Sequence, residues 1–367
     1  MGNRHQLCQL PSTGLSAGER MSIVQGSCWR VLLLTCVISL PGLAAGAGNE
    51  GYLAFDDKPL DEPLTYPDWF KLTFLDLRED LQEMQENGKR GLVVYFGQKY
   101  CAYCRQFLER DLVKEDIQAY MQEHFDVIGI DIHGHKMVTD FGGETLEETS
   151  FALREKTNFT PSVVFYGQDG NEALRLRGYY PPYRFRAALE FVADNHYLNE
   201  TFRDYLARAD VPLVFEEGDL IDEDFFLPGP YMLDRSRVPG ERPLAVVFEQ
   251  GNCHACDVLH TGPLQDAEIR QRIEQLEAVQ LSYWADTPVI TPAGERLTAR
   301  QWAERLGLFY TPTLIFFDVD GSEIIRVDSV VKFYRLKNVL DYIMEGGYRE
   351  HATFQSWRES RRPQKYR

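Results

Sequence analysis

The chain has 367 residues, of which 44% are hydrophobic and 13% aromatic, and its formal net charge is −17. This composition excludes a wholly disordered chain, and the length is sufficient for two globular domains. The acidic balance argues against a nucleic-acid partner, because proteins meet nucleic acids with basic surfaces.

The first segment with a clear pattern is an export signal. An uncharged apolar run at residues 31–40 follows Arg30, and the small residues Ala45-Gly46-Ala47 come shortly after it. This order is typical of a secretory signal peptide, and the run is too short to span a membrane. We predict a signal peptide over residues 1–47, with Met21 as an alternative start, and a periplasmic destination.

The next 150 residues predict alternating strands and helices that end in a hairpin and a helix. In chain order the prediction is a helix over 68–89, a strand over 92–97, a helix from Cys101 to about His124, a strand over 125–132, a helix near 145–157, a strand over 162–166, a strand over 172–180 and a helix over 183–193.

Both cysteine pairs beyond residue 47 have the spacing C-x-x-C, and each follows an apolar strand pattern. A sulfur at the start of a helix lies among unpaired N–H groups, which favour the thiolate that attacks disulfides. We therefore expect Cys101 and Cys253 to be the exposed, attacking thiols. Cys104 and Cys256 would resolve the mixed disulfides.

The pattern around the first pair recurs around the second at a nearly constant offset, which indicates a duplicated domain. The recurring features include Gly143 with Gly294, Thr160-Pro161 with Thr311-Pro312, and Asp169-Gly170 with Asp320-Gly321. We predict a first domain over 48–205, a second over 206–348, and a basic C-terminal tail over 349–367. The tail is expected to be a solvated, frayed terminus, with a weak membrane-surface contact as the alternative.

A proline directly before an apolar strand suggests a cis peptide bond, which is accessible mainly before proline. Pro161 and Pro312 both occupy such positions. In the cis form, each would leave the backbone of Thr160 or Thr311 free to pair with an extended substrate beside the reactive sulfur.

Each unit resembles a thioredoxin fold, with C-x-x-C after the first central strand and a cis-proline before the hairpin. The long stretch from Cys101 to Pro161 is similar to that of SoxW-type periplasmic thioredoxins. The resemblance implies an α/β fold with two thioredoxin-like domains in tandem, each a central mixed sheet flanked by helices. One departure is that Tyr95 and Val247 stand where thioredoxin has a buried acid six residues before the first cysteine.

Residues inside the two motifs are candidates for tuning the sulfur chemistry. Tyr103 is one, with a simple surface residue as the alternative. His254 is the other, because a partial positive charge beside the Cys253 thiolate would stabilise it and make the second disulfide the more oxidising.

Two other interpretations of the four cysteines are less favoured. A zinc site would need the two distant pairs to meet, although paired C-x-x-C motifs do bind zinc. Purely structural disulfides would close loops too short to stabilise much. His133 and His135 lack a third ligand at a suitable spacing, so no metal is expected.

We expect an exported protein thiol–disulfide oxidoreductase whose partners are protein disulfide substrates, and no cofactor is predicted. The resemblance to SoxW-type thioredoxins implies that it acts as a reductase and receives electrons from a membrane thiol donor. Oxidation or isomerisation of folding proteins stays open, as does a polypeptide-binding holdase with idle cysteines.

Overall fold

The computed structural model describes residues 51–209 and 220–361. The predicted signal peptide and the last basic residues therefore lie outside the described part of the chain. Within the two described ranges, no helix is long and apolar enough to cross a bilayer.

The first domain has six strands and six helices, with a short π-helical turn (Phe107–Asp111) after the second helix. The strands are β1 (Gly91–Gly97), β2 (Phe125–Asp131), β3 (Met137–Thr139), β4 (Thr145–Glu147), β5 (Ser162–Tyr166) and β6 (Glu172–Arg177). The helices are α1 (Leu77–Glu86), α2 (Ala102–Gln106), α3 (Glu115–His124), α4 (Glu148–Arg154), α5 (Pro182–Ala193) and α6 (Phe202–Ala209).

The second domain repeats the order from β1 to α5 and adds a short strand before it and two helices after it, but its described residues contain no counterpart of α1 before the first central strand. The strands are β7 (Tyr231–Met232), β8 (Leu244–Glu249), β9 (Glu277–Ser282), β10 (Pro288–Ile290), β11 (Arg296–Thr298), β12 (Thr313–Phe317) and β13 (Glu323–Val327). The helices are α7 (His254–Thr261), α8 (Ala267–Ile273), α9 (Ala299–Arg305), α10 (Phe333–Met344), α11 (Gly347–Glu350) and α12 (Phe354–Ser360).

Each domain is built on a mixed four-stranded sheet, and the two sheets have the same topology. The order is β2-β1-β5-β6 in the first sheet and β9-β8-β12-β13 in the second. The first two strands of each are parallel and the other pairs antiparallel. Every residue of β1 and β8 is buried, because helices cover both faces of the sheet. The predicted fold class is confirmed.

Three predicted helices are shorter than the sequence pattern suggested. The helix expected over 68–89 begins only at Leu77, because the Asp76 side chain accepts the N–H groups of Arg78 and Glu79 and so caps it there. The helix expected to run from Cys101 to His124 is interrupted between the π-helical turn and α3. The segment near 145–157 contains β4 before α4, because residues 145–147 pair with β3.

The two domains share one continuous core at their contact. The backbone N–H of Val330 donates to the carbonyl of Tyr179 at 2.9 Å. The Tyr180 ring stacks on Phe309 with centroids 5.7 Å apart and meets Tyr310 edge-on at 5.5 Å. The segment after β6 thus meets both the segment after β13 and the residues that precede β12, so loops beside the cysteine pairs also hold the domains together.

The C-terminal residues form a folded element, so the expectation of a frayed tail is wrong for residues 349–361. Phe354 and Trp357 of α12 are buried, at 2% and 4% exposure. Phe354 packs on Tyr342 of α10, with centroids 5.4 Å apart, and on Phe159 of the first domain, also at 5.4 Å. Phe354 and Trp357 are hard to recognise as an apolar face in the sequence because basic residues surround them. Through these contacts, α12 links the two domains.

A glycine is required where the two domains approach most closely. Gly178 has φ +110°, and a Cβ there would lie 2.1 Å from Ser329 Oγ. We expect Gly178→Ala to lower the free energy of unfolding by about 1–3 kcal/mol more than Gly88→Ala does. Gly88 is the matched control, because it has φ +70° with nothing within 4 Å of its added Cβ. Urea unfolding measures both, and equal losses would contradict the close contact.

A buried carboxyl predicts a pH dependence of stability. Asp111 is 1% exposed, and burial raises its pKa to about 7. The unfolded chain ionises this group above about pH 4, so its contribution is fully present below pH 4 and is lost as the pH rises towards 7. Relative to Asp111→Asn, the wild-type free energy of unfolding should fall by roughly 2–4 kcal/mol across that window.

Urea unfolding of both proteins at pH 4, 5.5, 7 and 8 checks this prediction. Asp222→Asn, at an exposed position, is the control. If the free energy of unfolding changed with pH in the same way for wild type and Asp111→Asn, the raised pKa of Asp111 would be contradicted.

Candidate active sites

The first cysteine pair lies at the end of β1, where the strand turns into α2. Cys101 is the N-cap of α2, with extended backbone, and its Sγ accepts the backbone N–H of Cys104 at 3.0 Å. The two sulfurs form a disulfide. A helix start has unpaired N–H groups, and here one of them points at the sulfur that would carry negative charge after reduction.

The second pair repeats this arrangement at the end of β8. Cys253 is the N-cap of α7, its Sγ accepts the N–H of Cys256 at 3.1 Å, and the pair forms a disulfide. The same local sequence order, strand then C-x-x-C then helix, therefore produces the same sulfur environment twice.

The fold brings each predicted Thr-Pro pair to the cysteines of its own domain. The Thr160–Pro161 and Thr311–Pro312 bonds are cis, as predicted. The carbonyl oxygen of each threonine lies 3.6 Å from the Sγ of the first cysteine of its pair. A third cis bond, Gly229–Pro230, was not anticipated.

The attacking cysteines are less accessible than the sequence suggested. Cys101 is 7% exposed and Cys253 is 8% exposed, so neither is a freely exposed thiol. The reason for Cys101 lies in the tertiary structure, because α10 of the second domain and α12 cover the region beside it. A pattern within one domain does not show what the other domain covers.

Arg335, at the start of α10, is the functional residue that the sequence patterns missed. Its Nη2 donates to the carbonyl of Thr160 at 2.9 Å, across the domain boundary. The expectation that this carbonyl is free to pair with an extended substrate is therefore wrong in the first domain. The carbonyl of Thr311 has no such donor among the described residues, so the expectation is retained for the second domain.

Tyr103 is an interdomain contact residue and is not on the surface. It is 5% exposed, its hydroxyl donates to Asp57 Oδ2 at 3.0 Å, and the Tyr103 hydroxyl oxygen accepts the backbone N–H of Lys332 at 3.0 Å. The Arg335 guanidinium lies 3.5 Å from its ring centroid. Burial raises the pKa of Tyr103 well above its ordinary value, so the hydroxyl stays protonated. We therefore assign Tyr103 to the domain contact and withdraw it as a tuner of the thiol pKa.

Asp57 completes this contact from the segment that precedes β1. Its carboxylate accepts the backbone N–H groups of Tyr334 and Arg335, at 3.0 and 2.9 Å, which lie in the first turn of α10. A carboxylate at a helix N-terminus satisfies unpaired donors and the positive end of the helix dipole. No motif surrounds Asp57 in the sequence, so it could not have been found there.

A carboxylate–histidine cluster lies close to the second disulfide only. Glu249, the last residue of β8, is 1% exposed and meets His260 Nε2 at 2.9 Å, while Glu223 meets Nδ1 at 3.1 Å. Burial alone would lower the pKa of His260, but the two carboxylates outweigh it and raise the pKa. His260 follows Cys256 by one helical turn on the same face of α7.

Val247 stands where thioredoxin has a buried acid, and the cluster places a different buried carboxylate, Glu249, on the same strand. Glu249 is two residues further along the same strand and so shares its face. In the first domain, Gly97 occupies the position of Glu249 and Leu108 that of His260, so the cluster has no counterpart there. A glutamate that ends an otherwise apolar strand was the available sequence signal.

His254 is exposed on the first turn of α7, where solvent screens its charge. His133 is placed near the first site, with its Nε2 3.3 Å from Gln98 Oε1, whereas His135 pairs with Glu147 on the surface. Across residues 51–209 and 220–361, no cluster of three or more potential ligands could hold a metal ion.

The model of the thioredoxin-like domain family matches residues 77–193 and 232–344 of this chain. Among solved structures, a thioredoxin-fold protein from Helicobacter pylori is 25% identical over 33% of this chain and 80% of its own, with a TM-score of 0.29. A thioredoxin from Thermus thermophilus is 26% identical over 32% and 83%, with a TM-score of 0.26.

A disulphide isomerase from Xylella fastidiosa Temecula1 is 19% identical over 40% of this chain and 99% of its own, with a TM-score of 0.24. No curated protein sequence matches this chain. The family model covers more than half of the chain, and each matched region holds a disulfide-bonded C-x-x-C at a helix start. The chain therefore belongs to the thioredoxin-like domain family and is a thiol–disulfide oxidoreductase with two such domains in tandem.

Proposed function

We propose that this protein is an exported disulfide reductase that acts on protein substrates, with Cys101 and Cys253 as the attacking residues. The observation that carries the roles is the same in both domains. The first sulfur accepts an N–H at a helix start and lies beside the carbonyl that precedes the cis-proline. That N–H favours the thiolate, and only the thiolate attacks disulfides.

The reaction in each reduced site has two steps. The thiolate of the first cysteine attacks one sulfur of the substrate disulfide, that S–S bond breaks, and the leaving thiolate takes up a proton. The thiolate of the second cysteine then attacks the first, releases the other substrate thiol and closes the C-x-x-C disulfide. The substrate gains two electrons and two protons, and the site becomes oxidised.

Export and the electron donor are part of the same proposal. The apolar run at 31–40 and the small residues before Gly48 support secretion to a periplasm. The resemblance to SoxW-type thioredoxins supports the reducing direction and a membrane thiol donor. Mass spectrometry of the exported protein tests the cleavage site, with Gly48 expected as the first residue.

In the second site, Thr311 and Pro312 are proposed to bind an extended substrate, because the Thr311 carbonyl meets no donor from the other domain in the described structure. In the first site, Thr160 and Pro161 lie beside Cys101, but the Thr160 carbonyl already accepts a hydrogen bond from Arg335. The two sites are therefore expected to differ in how they accept protein substrates.

The assignment of roles predicts which variants retain substrate. Cys104→Ser and Cys256→Ser should accumulate mixed disulfides with substrate proteins, since the resolving thiolate is absent. Cys101→Ser and Cys253→Ser are the matched controls and should accumulate none. Non-reducing electrophoresis with mass spectrometry of the trapped adducts measures this, and trapping by the control set would reverse the assignment.

The two disulfides are also predicted to differ slightly in potential, with the second the more oxidising, because His254 adds a positive charge, although a screened one, beside Cys253 where the first motif has Ala102. Because His254 is exposed, we expect His254→Ala to lower the second potential by no more than about 20 mV. Equilibration with glutathione measures each site in a chain whose other pair is changed to serine. A second site that is equal to or more reducing than the first would contradict this order.

The same titration tests the direction of electron flow. Potentials close to that of thioredoxin, about −270 mV, support a reductase, whereas values near −120 mV would make the protein an oxidase of folding proteins.

A further inference from the structure

A cavity of about 290 Å³ opens beside the first disulfide and has walls from three parts of the chain. Cys101 and Thr160 line it from the first domain, Tyr334 and Arg335 from α10, and Trp357 from α12. Ligand pockets in proteins begin at about 300 Å³, so this volume fits a small molecule better than a folded partner.

The wall formed by α12 is fixed to the first domain by polar as well as apolar contacts. The Asn158 side-chain oxygen accepts the N–H of Phe354 at 3.2 Å, and the Asn158 carbonyl accepts Gln355 Nε2 at 2.8 Å. Glu359 Oε2 lies 3.3 Å from His133 Nδ1. These contacts hold α12 in place as a wall of the cavity.

Arg335 places a buried positive charge at this cavity. It is 8% exposed, and no ion pair in residues 51–209 and 220–361 involves its guanidinium. Arg235, which is 5% exposed, instead meets Glu277 at 2.7 Å. Two carboxylates act on the Arg335 charge without forming an ion pair with it: Asp57, which already accepts the N–H groups at the start of α10, and the buried Asp328. Buried charges are normally paired, so this one favours an anion in the cavity.

The guanidinium also retains hydrogen-bonding capacity. Its Nη1 donates to Ser329 Oγ and to the Val330 carbonyl, and its Nη2 donates to the Thr160 carbonyl. An arginine has five N–H groups, and the two that are left have no acceptor in residues 51–209 and 220–361. A carboxylate can accept both, in a charge-assisted interaction.

We propose that the first site binds a small carboxylate-bearing disulfide or thiol, about the size of a tripeptide, with its carboxylate at Arg335 and its sulfur at Cys101. This inference rests on the proposed function, because it assigns a substrate class to one of the two redox sites. The second site lacks an equivalent arginine on the Thr311 carbonyl in the described structure, so the preference for a small carboxylate-bearing disulfide is expected at the first site, in addition to its reaction with proteins.

The Cys101–Cys104 dithiol alone supplies the two electrons that the reaction at the first site needs. The Cys101 thiolate attacks one sulfur of the bound disulfide, its S–S bond breaks, and the leaving thiolate takes up a proton. The Cys104 thiolate then attacks Cys101 Sγ and releases the second small thiol. The small disulfide gains two electrons, and the Cys101–Cys104 dithiol is oxidised to a disulfide.

The test compares the two sites in full-length chains that each keep one pair. Cys253→Ser/Cys256→Ser leaves the first site, and Cys101→Ser/Cys104→Ser leaves the second as the matched control. Each chain is reduced, freed of reductant and mixed with oxidised glutathione, which carries carboxylates, or with bis(2-hydroxyethyl) disulfide, which carries none. Stopped-flow kinetics measure the preference of each site for the charged over the uncharged disulfide.

The preference at the first site should exceed that at the second by about tenfold or more, as expected for a charge-assisted hydrogen bond. Arg335→Gln in the first-site chain should abolish the difference. Equal preferences at the two sites would overturn the inference while leaving the proposed function intact. Failure of both chains to react with either disulfide or with insulin would instead overturn the proposed function.

A second measurement keeps the test independent of the folding of Arg335→Gln. S-methylglutathione has the carboxylates but cannot exchange, so it should compete with oxidised glutathione at the first site of the chain that retains Arg335. It should have no effect on the reaction with bis(2-hydroxyethyl) disulfide at the second site. Absence of competition at the first site would overturn the inference.

Discussion

The burial of the Arg335 guanidinium is the constraint on which the interdomain structure depends. A charge removed from water must be met by acceptors, and the first domain supplies one of them through the carbonyl of Thr160. Tyr103 covers the flat face of the guanidinium, and Asp57 holds the helix start from which Arg335 extends. Each of these groups depends on the others, so the contact forms as a unit.

One consequence is that the first redox site and the domain contact share residues. Cys101 lies beside Thr160, whose carbonyl is bound by the second domain. The segments after β6 and β13 meet next to these residues, where the N–H of Val330 donates to the carbonyl of Tyr179, and so help to fix the position of Arg335 relative to Thr160. Both attacking-position sulfurs are hydrogen-bonded within their own domains, but only at Cys101 does the neighbouring threonine carbonyl accept a donor from the other domain among the described residues.

The duplicated units keep the redox motif and differ in what surrounds it. The second unit adds a buried carboxylate–histidine pair, Glu249 with His260, at positions where the first has Gly97 and Leu108. In the described residues, α12 lines the cavity beside the first disulfide and packs Phe354 on Phe159 of the first unit. Two copies of one fold can therefore serve different substrates without a change in the attacking group, because selectivity lies in the surrounding side chains.

Sequence patterns alone determined the duplicated α/β fold, the four cysteines and the two cis-prolines. These features are local, since strand periodicity, a C-x-x-C at a helix start and a proline before a strand each act within a few residues. Helix ends were less predictable. The start of α1 depends on the Asp76 cap, and the extent of α4 depends on the pairing of β4 with β3.

Only the tertiary structure decided how the two units face each other and what covers each sulfur. Arg335 follows Thr160 by 175 residues, and Asp57 precedes it by 278, so no periodicity connects them. Tyr103 was predicted to tune the thiol pKa, with a surface residue as the alternative, because its contacts with Lys332 and Arg335 of the other domain leave no trace in the local sequence. The C-terminal helix looked like a basic tail because its charged residues hide a narrow apolar stripe. Local chemistry is encoded in local sequence, whereas burial is a property of the whole packed chain.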